Sequence, residues 1–234
     1  MSDRKVFDRY ASTYADTVNA AIGASGENAD FFARLKALHV RRALGASAPR
    51  KILDFGCGVG TATHALAEVF PSTLIIGCDD SLESINAARR SAGTASDRLR
   101  FVIHGPGGLP LRDSSVDVAF ASCVFHHIET SAQATWLGEL RRVLRVGAPL
   151  FLFEHNPYNP LTLRVVRACP FDAGVKLLRP PCATRIIRSA GFRVGRPRYY
   201  FFFPHVLQRL RPAEAYMDWL PLGGQYYIVG WRES

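Results

Sequence analysis

The chain has 234 residues, 48% of them hydrophobic, enough to bury a full core in one large domain. Its longest apolar runs, TLIIGC and APLFLFE, have the length of strands and fall far short of the ~20 residues that cross a bilayer, so a transmembrane helix is not expected. The formal net charge of +9 is unevenly placed: residues 1–140 carry 14 Lys/Arg against 15 Asp/Glu, whereas residues 141–234 carry 15 against 5, and 14 of those 15 cations are arginine. Such a C-terminal excess reads either as a solvated face or as attraction to something anionic.

The opening MSDRKVFDRYASTYAD has neither the apolar core of a signal peptide nor the acid-poor bias of a transit peptide, which gives a cytoplasmic expectation. Residues 31–44 then place Phe31, Leu35 and Leu38 on one helical stripe ended by Gly45. KILDFG is a short buried strand, TATHALAEVF (61–70) a helix stopped by Pro71, and STLIIGCD (72–79) a second strand. A helix over 81–93 opens on Ser81 as its N-cap. Strands over 98–104 and 116–123, a helix over 130–145 and a fifth strand over 148–155 continue the alternation.

This pattern predicts a doubly wound, Rossmann-like α/β fold: a mainly parallel sheet with helices on both faces and right-handed crossovers. Residues 156–183 hold five prolines and read as an insertion over the sheet edge, with a short helix in LTLRVVRA. A helix near 182–190, a strand over 192–203, a helical piece near 205–210 and a last strand over 225–232 complete the chain. No repeat or linker divides it, so one domain spans 1–234, with 1–45 as N-terminal cap helices.

The stretch KILDFGCGVGT carries the chemistry. Glycines at 56, 58 and 60, between a strand and a helix, let the turn close and let a ligand approach the backbone and the free N–H groups of the helix. Asp79, with Asp80 beside it, ends the next strand 19 residues after Gly60, where an acid can bind ribose hydroxyls. The spacing is GxGxG rather than the dinucleotide GxGxxG, and Asp54 precedes the first glycine. An acid there suits S-adenosylmethionine (SAM), which carries a sulfonium and an ammonium, and would repel a pyrophosphate.

ILDFGCGVGT, GCDDS, LPLRDSSVDVAFASCVFHHI and RSAGF resemble class I SAM-dependent methyltransferases, in wording closest to the ubiquinone/menaquinone-biosynthesis small-molecule branch. The resemblance covers about residues 7 to 232. It implies a seven-stranded sheet with an antiparallel last strand, and SAM as cofactor with S-adenosylhomocysteine as product. It further implies that Asp54, Gly56, Gly58 and Gly60 hold the methionine side, and that Asp79 binds the ribose. Ser81 or Leu82 would flank the adenine, while Ala121, Ser122 and Cys123 form the floor. The segment FDRYASTYAD resembles a cap that would bring Tyr14 and Tyr10 near the methionyl end. The branch's usual adenine-binding acid is replaced by Gly105, so adenine recognition would rely on a backbone contact or on a neighbour such as His104.

Methyl transfer from a sulfonium needs alignment above all, and a base only where the acceptor must lose a proton. Candidates at the strand ends are His126, His127, Glu154 and His155, with His127 and His155 taken forward as catalytic. The five cysteines show no metal spacing and read as reduced, mostly buried thiols, so no metal is expected. The expected acceptor is a small or lipid-like molecule under the 156–183 insertion. RPRYYFFFPHVLQRLRP (196–212), aromatic and flanked by cations, suggests an anionic acceptor or contact with a membrane surface. An RNA methyltransferase and a non-catalytic SAM-binding scaffold are the competing readings. No RNA-binding module or NPPY-type motif supports the first, and the intact glycine turn opposes the second.

Overall fold

The computed structural model describes residues 13–92, 97–172 and 174–234. Its strands are β1 (Lys51–Phe55), β2 (Leu74–Asp79), β3 (Leu99–Ile103), β4 (Val118–Ser122), β5 (Pro149–His155), β6 (Phe192–Val194), β7 (Arg198–Tyr200) and β8 (Gln225–Arg232). They form one sheet in the order β3-β2-β1-β4-β5-β8-β6, with β7 also on β8. Strands β1 to β5 are parallel, and β8 runs antiparallel to its neighbours. The order reverses at β1, whose two neighbours are β2 and β4, and this is where open α/β sheets form a crevice at the carboxyl ends of their strands.

The doubly wound, mainly parallel sheet is as expected, with one refinement at its edge. A single strand over 192–203 is replaced by β6 and β7, which share the seventh position as two three-residue pieces on one side of β8. The interruption falls at Gly195-Arg196-Pro197, where proline cannot donate to a ladder. Beyond β7 the aromatic run leaves the sheet. Phe201 takes a left-handed backbone, and the N–H groups of Phe201, Phe202 and Phe203 all donate to the Glu214 carboxylate.

Helices α1 (Tyr14–Ile22), α2 (Ala29–Leu44), α3 (Thr61–Val69), α4 (Leu82–Ala92), α5 (Thr130–Val143), α6 (Pro160–Ala168) and α7 (Pro180–Ser189) cover the sheet. On one face, Ala33, Ala37 and Val40 of α2 and Leu66 of α3 pack on Ile52, Phe120 and Phe153. On the other, Leu137 and Leu140 of α5 and Ile187 of α7 meet Leu53, Ala119 and Leu152. Strands buried on both faces explain why these segments read as unbroken apolar runs.

The helix over 31–44 exists, but its inner face differs from the expected stripe. Leu38 is exposed, and the buried residues are Ala33, Lys36, Ala37 and Val40. The two alanines let α2 approach the sheet closely and carry Lys36 inward. Asn28 caps this helix by accepting from the Phe31 N–H, and Ser81 caps α4 by accepting from Ser84.

Prolines open α6 and α7. The insertion before and through α6 is tied to the approach of β8. Asn156 donates to the carbonyls of Pro221 and Gly223, Asn159 to Leu222 and Thr162 to Gly224. Among the described residues no helix is long and apolar enough to cross a membrane.

Candidate functional site

At the carboxyl ends of β1, β2, β4 and β5 lies a cavity of about 580 Å³, within the range of small-ligand sites. Its wall includes Lys36, Asp54, Gly58, Asp79, Asp80, His104, Ser122, Cys123, His127, Trp136, His155, Asp172 and Gln225. Parallel register sets this grouping. Phe55 pairs with Cys78 on one side and Ala121 on the other, so β1, β2 and β4 end at one level.

The glycine turn is anchored to β2 before any ligand is considered. The N–H groups of Gly56 and Cys57 donate to the Cys78 carbonyl, and that of Gly58 donates to Asp79 Oδ2 at 2.8 Å. Gly58 has φ +51°, and a Cβ built there would meet nothing, because it would point into open space. Gly56 has a different reason: its φ is +70°, and a Cβ would collide with Val124. Gly60 does not line the cavity and packs against Phe101 and Ala88. Gly56 and Gly58 thus both line the cavity, with open space over Gly58, while Gly60 packs behind the turn.

Asp54 is wholly buried. Its Oδ2 accepts from Thr63 Oγ1 at 2.7 Å, while its Oδ1 has no hydrogen-bond partner. Burial raises its pKa to about 7, with the nearby Asp79 acting in the same direction and Thr63 and Lys36 opposing it. Asp79 accepts at both oxygens, from Gly58 N–H and from Ser81 N–H at 2.9 Å, which fixes its orientation; burial again pushes its pKa up. Ser81 is buried and acts on the site through this bond and its helix cap rather than by lining the cavity. Asp80 is exposed at the rim.

Lys36, which the sequence reading missed, enters beside this acid cluster. Its ammonium donates to Ser122 Oγ at 2.7 Å and lies 3.5 Å from Cys123 Sγ. A lysine on a helix otherwise read by its leucines gave no signal, because helix position alone does not say which side approaches the sheet. At the other end, His104 stacks on Phe55 and meets Trp136 edge-on, with ring centroids 4.5 Å apart. His104 thus lines the site beside Gly105, the position that departs from the acid of the resembled branch. Tyr14 opens α1, but its side chain, like Tyr10, lies outside the described residues.

The catalytic candidates converge, with two unexpected partners. Cys123 follows β4 with φ +55°. Burial would raise its thiol, but His155 and Lys36 overcome this and bring it to about 6. Three other cysteines, Cys57, Cys78 and Cys169, are buried as expected, and Cys182 is exposed.

His126 Nδ1 is bonded to Glu154 Oε2, and His127 Nε2 lies 3.0 Å from Asp172 Oδ1. Burial works against the charge on His126, yet Glu154 and Asp172 raise its pKa well above the ordinary value. Burial likewise opposes ionisation of Asp172, but its histidine neighbours hold the carboxyl far below the usual range. Sequence alone could not bring Asp172 here, since it arrives on the insertion, 45 residues beyond His127. Among the described residues of the insertion, Val165, Cys169, Phe171 and Asp172 line the cavity.

A glycine turn at the switch point of a sheet ordered 3-2-1-4-5, closed by an antiparallel strand, is the architecture of the class I SAM-dependent methyltransferase fold. Residues 52–147 match the methyltransferase-domain family model. An uncharacterized 37.1 kDa protein in transposon TN4556 of Streptomyces fradiae is 40% identical over 162 residues, 65% of this chain and 46% of that one. The demethylmenaquinone methyltransferase of Deinococcus radiodurans is 33% identical over 50% of this chain and 49% of its own length. The chain thus spans about half the length of these relatives.

A SAM-dependent methyltransferase structure from Aquifex aeolicus aligns over 84% of this chain and 89% of its own, at a TM-score of 0.60 and 19% identity, a likeness of fold. The cofactor of this class, SAM, fits the residues present. A buried acid with an unpartnered oxygen suits a cationic ligand, Gly58 leaves space for it, and Asp79 is fixed with lone pairs to spare.

Proposed function

We propose that this protein transfers the sulfonium methyl group of SAM to a small-molecule acceptor. The observation that carries the reading is the buried Asp54, with one oxygen unpartnered, beside a glycine that opens onto the cavity. SAM supplies its own electrophilic methyl carbon, so the chain's work is to bind, align and exclude water.

In this reading Asp54 faces the ammonium of the methionyl end, and Lys36 with Ser122 receives its carboxylate. Gly58 admits the ligand, Asp79 and Asp80 take the ribose hydroxyls, and His104 and Trp136 flank the adenine. Gly56, Gly60 and Ser81 hold the shape of the turn. The acceptor lies on the side walled by the insertion, where Phe171, Cys169 and Val165 supply apolar surface. Where the acceptor must lose a proton, the pair formed by His155 and Cys123 is placed to take it. His127, held by Asp172, orients rather than abstracts.

A lipid-like acceptor and contact with a membrane surface form the finer part of the proposal. The aromatic run itself does not support it: Tyr199 and Tyr200 are buried, and Arg196 and Arg198 are paired with Asp218. The support comes from the neighbouring exposed residues Val206, Tyr216, Trp219, Leu222 and Leu161, with exposed Arg164, Arg167 and Arg209 nearby in the chain.

Calorimetry with SAM and S-adenosylhomocysteine tests the core reading, with NAD as control. Micromolar binding of the first two, lost in a folded Gly58→Arg variant, is expected. Binding of NAD instead, or of nothing by folded protein, would overturn it.

A further inference from the structure

Behind the acceptor side of the cavity, three ligand-type atoms converge. His126, His127 and Asp172 each bring one ligand atom within 4.8 Å of the other two. Asp172 Oδ1 is 3.5 Å from His126 Nε2 and 3.0 Å from His127 Nε2. Atoms bound to one ion at about 2.0–2.2 Å are separated by roughly 3.0–3.5 Å in tetrahedral or octahedral arrangements. The two measured edges fit that range.

The surroundings point the same way. The His126 side chain is wholly buried, and the only partner of its Nε2 among the described residues is the 3.5 Å contact with Asp172, too long or misaligned for a good hydrogen bond. Its other nitrogen is bound to Glu154, whose Oε1 accepts from the Phe125 N–H at 3.1 Å. A carboxylate holding the far nitrogen of an imidazole is the usual support of a metal-ligating histidine, since it fixes the ring and directs the second lone pair outward. Two buried carboxylates, Glu154 and Asp172, stand on either side of this ring; the His126 imidazolium meets their charge when no ion is bound, and a bound cation would take the place of its Nε2 proton.

We infer that His126, His127 and Asp172 form a binding site for a first-row divalent cation, of the zinc or iron(II) type, on the wall of the cavity. Two imidazoles and one carboxylate match the preferences of such ions, whereas magnesium and calcium favour all-oxygen sites. Three protein ligands leave a coordination position open, and His127 and Asp172 both line the cavity. That position suits an oxygen of the acceptor, such as a phenolate, enolate or carboxylate, a role that rests on the methyltransferase reading. The binding of the ion does not.

The test uses the full chain, stripped with a chelator and titrated with Zn²⁺ and Co²⁺ by calorimetry, with Mg²⁺ as control. Cobalt absorption reports coordination. One equivalent of Zn²⁺ or Co²⁺ should bind, with visible bands of low-coordinate cobalt, and His127→Gln and Asp172→Asn should each weaken binding at least 100-fold. Glu154→Gln, which leaves the three ligands in place, should weaken it 10- to 100-fold.

Failure of the folded wild-type chain to bind one equivalent, or undiminished binding in folded His127→Gln and Asp172→Asn, overturns the inference. Should those variants not fold, X-ray absorption of the zinc-loaded wild type decides by the presence or absence of two imidazoles at the ion. SAM binding is measured on the same samples. Metal bound without SAM would sink the cofactor reading and leave this site standing, and the reverse result would do the opposite.

Discussion

At the scale of single residues, the site is organised around one acid that is costly to ionise. Asp54 has a pKa raised to about 7 by burial, and a cationic ligand favours its charged form. Below about pH 7 a binding cation must displace the proton, so SAM affinity should fall as pH drops, approaching tenfold per unit. Above that pH it should level off. Asp54→Asn should bind at least tenfold more weakly at pH 8 and lose most of this slope. Calorimetry from pH 5.5 to 8.5 checks both points; an unchanged slope in the variant would place the titrating group elsewhere.

Much of this residue chemistry was legible beforehand, because a glycine turn between strand and helix and an acid at the next strand end are local signals. Lys36 and Asp172 were not legible. Each enters the cavity through tertiary placement, one on a helix face chosen by two alanines and the other on an insertion stapled down by asparagines.

At the scale of elements, the strands and helices up to residue 155 follow the sequence reading to within a few residues, since period and length agree there. Beyond it α6, α7 and β8 also stand where expected, and the divergence is confined to the strand over 192–203. The aromatic residues after Gly195-Arg196-Pro197 read as continuing one long strand, but the proline breaks the ladder and a carboxylate captures the stretch beyond β7. Glu214, in the 3₁₀ segment His205–Tyr216, accepts from three consecutive backbone N–H groups and so replaces a sheet partner. The ring of Phe201 then meets Phe32 at 4.7 Å between centroids, which ties this segment to α2.

Removing the carboxylate leaves three partly buried donors without acceptors. Glu214→Ala should cost about 2 kcal/mol, or roughly 4–8 °C in thermal midpoint for a chain of this size. Glu214→Gln, which keeps one acceptor oxygen, should lose less. Equal loss in the two variants would show that the hydrogen bonds are not what holds the segment.

At the scale of the whole molecule, charge and exposed apolar surface coincide in the C-terminal half. The net charge of residues 141–234 is strongly positive, and the exposed side chains of Leu161, Val206, Tyr216, Trp219 and Leu222 all belong to it. The protein should therefore sediment with vesicles of mixed anionic and neutral lipid at low salt and be released as salt rises, through screening. Neutral vesicles should retain less of it, and Trp219→Ser with Leu222→Ser should weaken retention severalfold. Equal recovery in the supernatant with both vesicle types would remove the membrane reading while leaving the cofactor reading intact.

The position of β8 has a consequence for how such a chain acquires its shape during synthesis. This strand lies between β5 and the β6/β7 edge, so two parts of the sheet already made must wait, unpaired, for residues 225–232. Gln225 of the same strand also lines the cavity. Until it arrives, β5 presents an open row of backbone donors and acceptors, which is a template for pairing between neighbouring nascent chains. The strand that completes the ligand's chamber is thus also the one that ends the period of greatest exposure to aggregation.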